Sequence, residues 1–112
     1  MERRKILIQE YKHRRSIGGV YRVTNSRNGM FLLDFSPNIQ AKQNAFDFMV
    51  FSSSCFHHKL KKDWATFGGN AFTFEILETL DKKEEQNQEE FLNDLKILEQ
   101  IWSEKLDSSK RY

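Results

Sequence analysis

The segment Gly18-Gly19-Val20-Tyr21-Arg22-Val23-Thr24-Asn25-Ser26-Arg27-Asn28-Gly29-Met30-Phe31-Leu32-Leu33-Asp34-Phe35 decides the fold. Val20, Tyr21, Val23 and Thr24 are β-branched or aromatic, the side chains that fit a pleated surface best. Gly18 and Gly19 break any helix that comes before them. Residues 25–29 end in Asn-Gly, a pair that tolerates positive φ, and residues 30–35 supply a second apolar run. The pattern predicts an antiparallel hairpin.

Outward from the hairpin, residues 2–15 predict a short helix with Ile6, Leu7 and Tyr11 at helical spacing. Its closing run, Lys12, His13, Arg14 and Arg15, suits the negative end of a helix dipole. On the other side, Ser36-Pro37 predicts a helix start, with the hydroxyl as cap and the proline in the first turn, continuing to about residue 51. Ser52, Ser53 and Ser54 form a loop before a second helix over residues 56–67, with Leu60, Trp64 and Phe67 at helical spacing and Gly68 closing it. Residues 72–77 predict a third strand, and the polar stretch 81–90 leads into a last helix ending near residue 106. The expected architecture is α+β: a small three-stranded antiparallel sheet flanked by helices, in the order α-β-β-α-α-β-α. One domain accounts for residues 1–112, with a basic helix over 1–16 appended to a core over 17–106.

Composition narrows the classes. Apolar residues make up 38% of the chain and ten of its 112 residues are Phe, which gives a core to bury and excludes a disordered tail. Cys55 is the single cysteine, so neither an internal disulfide nor a thiolate zinc cluster forms within one chain. Without a signal-peptide pattern or a bilayer-length apolar run, the expectation is a cytoplasmic chain with no membrane partner. The net charge of +2 conceals a gradient: residues 1–27 carry +6, whereas residues 75–112 carry −5. Solvated helix faces account for such charges, and so does a basic end that meets phosphates by counterion release.

Two charges fall where apolar side chains are expected. At 100° per residue, Ile39, Phe46, Met49 and Val50 share one stripe with Lys42; in the last helix, Phe91, Leu95, Leu98 and Trp102 share one with Glu99. A buried unpaired charge costs several kcal/mol, so each needs a partner, solvent or a cleft. If the two stripes face each other, one cleft or one ion pair explains both residues. His57 and His58 are adjacent and point about 100° apart on a helix, so they do not form a one-face metal pair, and no metal is assigned to them or to His13.

On these residues the sequence resembles the GIY-YIG nuclease family. Gly19-Val20-Tyr21 is similar to the GIY element, and Leu32-Leu33-Asp34 falls where the second element stands. Ser36-Pro37-Asn38-Ile39 leads into a helix whose essential arginine position is matched by Lys42. Leu60-Lys61-Lys62-Asp63-Trp64 with Gly68, and the strand Phe72-Thr73-Phe74-Glu75-Ile76-Leu77-Glu78, resemble the middle region. Glu99-Gln100-Ile101-Trp102 resembles the helix that carries the metal-binding glutamate. The resemblance spans about residues 17–106. It implies a small antiparallel sheet with helices, a divalent metal on Glu99, a place for Tyr21 beside the nucleophilic water, and phosphate contacts from the arginine and the second tyrosine.

Against that pattern, Leu32 offers no hydroxyl, Asp34 brings a negative charge where a glycine is expected, and Lys42 lacks the planar fork that grips phosphate. A family asparagine beyond the last helix has no match before Tyr112. The expectation is therefore a catalytically degenerate GIY-YIG-type domain associated with DNA or RNA, with Tyr21, Lys42 and Glu99 as the remnant site. Arg14, Arg15, Arg22, Arg27, Lys59, Lys61 and Lys62 are the expected nucleic-acid contacts. No cofactor is expected unless nuclease activity survives, in which case magnesium or manganese would sit on Glu99. A weak metal-dependent endonuclease and a protein-interaction module are the alternatives. Decay of the site further predicts that Lys42 approaches Glu99, its ammonium replacing the metal.

Overall fold

The structure, a computed structural model, describes residues 17–112. The helix expected over residues 2–15, with Arg14 and Arg15, lies outside these residues. Strands β1 (Gly18–Asn25) and β2 (Phe31–Ser36) form the predicted hairpin. Its turn is closed by Asn25, whose N–H donates to the Met30 carbonyl at 2.8 Å and whose own carbonyl accepts from Gly29 N–H at 2.8 Å. The Asn25 and Asn28 amide oxygens each accept from a backbone N–H two residues on, Arg27 and Met30, both at 2.9 Å. Gly29 takes a φ of 76°, which explains a glycine here.

Strand β3 (Phe72–Leu80) pairs with the other side of β1, giving the order β2-β1-β3 with both pairings antiparallel. The β1–β3 register shifts between Val20, opposite Glu78, and Tyr21, opposite Ile76. Leu77 is the extra residue on β3. Side chains alternate across the sheet, so β1 feeds two cores at once. On one face Tyr21, Val23 and Leu32 pack with Ile39 and Phe46 of α1 (Ile39–Ser52), Leu60, Trp64 of α2 (Lys61–Phe67), Ala71 and Phe72. On the other, Val20, Phe31 and Leu33 pack with Leu98 and Trp102 of α3 (Gln88–Lys105) and with Leu106. The observed layers are thus α1 and α2, sheet, α3. This matches the expected α+β class with a three-stranded antiparallel sheet. The apolar stripes of α1 and α3, expected to face each other, instead cover opposite faces of the sheet.

Element boundaries differ from the expectation where side chains compete with the backbone. The cap of α1 is Asn38, which accepts from Ala41 N–H at 3.1 Å, not Ser36. Ser36 still belongs to β2, because a residue before proline is kept extended, and its hydroxyl accepts from Asn38 N–H at 3.1 Å. The second helix opens later than residue 56. His57 Nδ1 accepts from Lys59 N–H at 3.1 Å and starts a 3-10 turn, His58–Leu60, before α2. Gly68 ends α2 as expected, its N–H donating to Trp64 at 2.8 Å. A capping box opens α3, with Asn87 accepting from Glu90 N–H at 2.8 Å and Glu90 accepting from Asn87 N–H at 3.2 Å.

Beyond Leu106 the chain makes a 3-10 turn, Ser108–Lys110, and returns to the outer edge of β2. There Arg111 bridges Phe31 in parallel, and Tyr112 N–H donates to the Phe31 carbonyl at 2.9 Å. Among the described residues no helix is long and apolar enough to cross a membrane.

The close pairing of β1 with β3 leaves no room at Gly19. A Cβ built there would lie 2.6 Å from the Glu78 carbonyl oxygen, a backbone atom fixed by the ladder. Gly19→Ala is expected to destabilise the fold by about 1–3 kcal/mol in urea titration, the usual cost of overpacking. An unchanged midpoint would show that the ladder yields at this point.

Candidate functional site

Tyr21 and Asp34 stand opposite each other on β1 and β2, and both project to the α1 side of the sheet. Tyr21 is fully buried, stacked on Phe74 with ring centroids 4.8 Å apart and met edge-on by Phe56 at 6.2 Å. Its hydroxyl donates to Asp34 Oδ2 at 3.4 Å, a long bond, while Asp34 Oδ1 accepts from Phe35 N–H at 2.8 Å. Burial first, and then the Asp34 charge, raise the Tyr21 phenol well above its ordinary range. The phenol stays protonated at neutral pH and acts as a donor, not a base.

Glu99 projects from α3 towards the β2 edge, and its partner is Arg111. The guanidinium Nη2 donates to Glu99 Oε1 at 3.1 Å and to the Leu33 carbonyl at 3.3 Å. The carboxylate is partly buried, with its side chain 19% exposed against 33% for Arg111. Burial and, after it, the Asp34 charge raise the Glu99 carboxyl, while Arg111 and then Lys59 act in the opposite direction. The net shift is upward. Arg111 is the cation paired with Glu99 on this edge.

The expected approach of Lys42 to Glu99 does not occur. Lys42 is exposed, and its ammonium sits 5.9 Å above the Phe56 ring on the far side of the sheet from α3. The physical reason is the sheet between the two helices: a helical projection tells which way a residue points on its helix, not which sheet face the helix covers. Leu32, which the sequence resemblance set at the second tyrosine, is 2% exposed and belongs to the core around Tyr21. Of the two replacements on β2, only Asp34 reaches the Tyr21 hydroxyl.

His57 lies beside this group. Burial and then His58 lower its imidazole, while Asp34 raises it. The two imidazoles stack at 4.3 Å, a geometry that suits no shared ion. Arg27, Lys59, Lys61 and Lys62 are exposed and make no ion pair among the described residues. Arg22 differs from these, because its Nε donates to Glu75 Oε1 at 3.1 Å and its guanidinium lies 5.9 Å over Phe31.

Sequence reasoning missed a second polar cluster. Asp63 Oδ2 accepts from Tyr112 Oη at 2.6 Å, from Asn28 Nδ2 at 3.1 Å and from Asn25 Nδ2 at 3.3 Å. Asn25 Nδ2 also donates to Tyr112 Oη at 3.0 Å, and Asn25 is fully buried. The Tyr112 hydrogen bond, first among these, holds the Asp63 carboxyl below its usual range. Nothing in the spacing of Asp107 to Tyr112 announces this return, since the six residues show neither helical nor strand periodicity.

A solved structure similar to this chain is the catalytic domain of the intron endonuclease I-TevI, in an alanine-for-glutamate variant. The TM-score is 0.61 at 15% identity, over 86% of this chain and 91% of that one. The chain has the GIY-YIG fold. No protein-family model and no curated protein sequence matches it. Within a GIY-YIG frame, a divalent metal would be sought on Glu99. The donor set does not fit one as arranged, because Arg111 already holds Oε1 and Lys59 adds a second positive field. Among the described residues, no three His, Cys, Asp or Glu side chains converge to hold a metal.

The raised Glu99 carboxyl has a signature in stability. Its ionisation opposes folding, so its contribution is fully present below the unfolded-state value and is lost as pH rises through the folded-state value. As pH is raised through the carboxylate range, the unmodified protein is expected to lose stability relative to Glu99→Gln in urea titrations. Parallel pH profiles would place Glu99 in water.

Proposed function

We propose that this GIY-YIG-fold domain engages nucleic acid through its exposed basic groups and has little or no nuclease activity. The observation that carries the reading is the Arg111–Glu99 pair, 3.1 Å apart, in which a guanidinium neutralises the one carboxylate a metal would need. Phosphodiester hydrolysis requires an activated water, a Lewis acid and donors aimed at phosphate oxygens. Here Tyr21 is a buried donor held by Asp34, a carboxylate that brings negative charge towards a phosphate. Lys42 offers a point charge without the bidentate fork. Loss of one preorganised donor costs about 2.7–4 kcal/mol of transition-state stabilisation, and several losses together suppress turnover without adding simply.

Support for nucleic-acid association comes from the fold and from Arg27, Lys59, Lys61 and Lys62, whose charges face solvent. Each phosphate neutralised on duplex DNA contributes roughly 0.9 to the slope of log affinity against log salt. Binding to a short duplex or single strand is expected at low salt and should weaken steeply as salt is added. Removal of Lys59, Lys61 and Lys62 together is expected to lower that slope by about 2–3 on duplex DNA. Absence of binding at low salt to both DNA and RNA would overturn the association.

Catalytic loss is tested separately. Plasmid nicking with magnesium or manganese is expected to be no greater for the unmodified protein than for Glu99→Ala. Cutting that disappears in Glu99→Ala would instead make the domain a weak metal-dependent endonuclease.

A further inference from the structure

Between α1 and α2 the chain sets an aromatic surface among basic side chains. Ser53, with a φ of 61°, ends α1, and its N–H donates to the Val50 carbonyl at 3.3 Å while Ser54 N–H donates to Met49 at 2.9 Å. The chain thereby turns back, and Phe56 packs edge-on against Phe46 with centroids 5.4 Å apart. His57 follows, half-buried, and its Nδ1 accepts from Lys59 N–H at 3.1 Å, which fixes the ring. His58 stacks on that ring with centroids 4.3 Å apart and planes 27° from parallel. His58 itself is exposed, so the stack ends in solvent.

The core takes Phe56 and the wholly buried Leu60 from this stretch, and neither imidazole is needed to close it. Charge around the stack is mostly of one sign. Lys59 lies within the same turn, Lys61 and Lys62 open α2, and Lys42 comes from α1, its ammonium 5.9 Å above the Phe56 ring. All four are exposed and make no ion pair among the described residues. The groups whose charges act on His57 are His58, Asp34, Lys59 and Lys42. Of these only Asp34 is acidic, and its two oxygens already accept from the Tyr21 hydroxyl and Phe35 N–H.

An aromatic face ringed by cations matches the chemistry of an unpaired nucleotide. Its base offers a π-face to stack, and the phosphates on either side offer charge. In a duplex the base faces are taken by neighbouring base pairs, so the same surface meets phosphates alone. The His57 hydrogen bond holds the platform in place before any ligand arrives, which lowers the ordering cost of binding.

We propose that the His57–His58 stack is a platform for an unpaired nucleobase, with Lys42, Lys59, Lys61 and Lys62 meeting the flanking phosphates, so that single-stranded nucleic acid is the preferred ligand class. The proposal rests on the nucleic-acid reading above and goes beyond it by naming the state of the strand and the side chain that senses it.

The test is fluorescence anisotropy with four probes: an oligothymidine, an oligouridine, an abasic deoxyribose-phosphate strand of the same length, and a duplex. The abasic strand keeps the phosphates and removes the bases. The unmodified protein is expected to bind a base-bearing strand roughly fivefold or more tightly than the abasic one, the lower end of what one base stacked on an aromatic side chain contributes. The tighter of oligothymidine and oligouridine identifies DNA or RNA as the source of the base. His58→Ala should erase that preference and leave duplex and abasic affinities unchanged, whereas His58→Phe, which keeps an aromatic face without a charge, should retain it. Removal of Lys59, Lys61 and Lys62 together should weaken all four probes. Equal affinity for abasic and base-bearing strands would overturn the platform, as would a preference that survives His58→Ala or an equal loss on the duplex. Salt-dependent binding that ignores the bases sinks the platform alone, while failure of every probe to bind at low salt overturns the association on which it rests.

Discussion

Strand β1 is paired on both sides and covered on both faces, and every other element takes its place from that strand. Tyr21 and Val23 belong to one core, Val20 to the other, and all three are wholly buried. A strand so placed tolerates no slip, because moving it by one residue would exchange the two cores. The glycines at its start let β3 and α3 come close, with Phe91 packed against Gly18 and the Glu78 carbonyl against Gly19. Backbone pairing thus aligns Tyr21 with Asp34 before any chemistry is considered.

Electrostatics at the β2 edge follow from that alignment. Glu99 comes from α3 and Arg111 from the returning segment, and they pair at 3.1 Å, while Asp34 of the hairpin acts on Glu99 through space. A carboxylate partly removed from water needs either a proton or a cation, and the upward pull on Glu99 shows both solutions in tension. Arg111 is suited to this role by its several donors, one nitrogen serving the Leu33 carbonyl as well as Glu99. Lysine would provide charge without the fixed geometry.

The hairpin, the third strand and the last helix were legible because their signals are local: β-branched runs, an Asn-Gly turn, and a 3.6-residue period. The residues Tyr21, Lys42 and Glu99 were legible as candidates through spacing and family resemblance, but their mutual arrangement was not. Lys42 and Glu99 each lie on an apolar stripe, yet periodicity carries no record of which sheet face a helix covers, and the sheet separates them. The cap of α1 moved from Ser36 to Asn38 for a related reason, since pairing of β2 to its last residue overrode a good local capping signal. Arg111 and Tyr112 were invisible. Their roles depend on the path of an irregular segment whose partners, Glu99, Asp63 and Asn25, lie up to 87 residues away in sequence.

The return of the chain along β2 also bears on solubility. A three-stranded sheet has two edges, and unpaired N–H and C=O groups on an edge invite pairing with another molecule. Tyr112 and Arg111 cover part of one of them at Phe31, so the segment that neutralises Glu99 also shortens the run of β2 open to a foreign strand. The other edge, β3, carries the charged residues Glu75 and Glu78, which are engaged by Arg22 and by Trp102 Nε1. Loss of the Arg111–Tyr112 cover would lengthen the run of β2 open to pairing with a foreign strand.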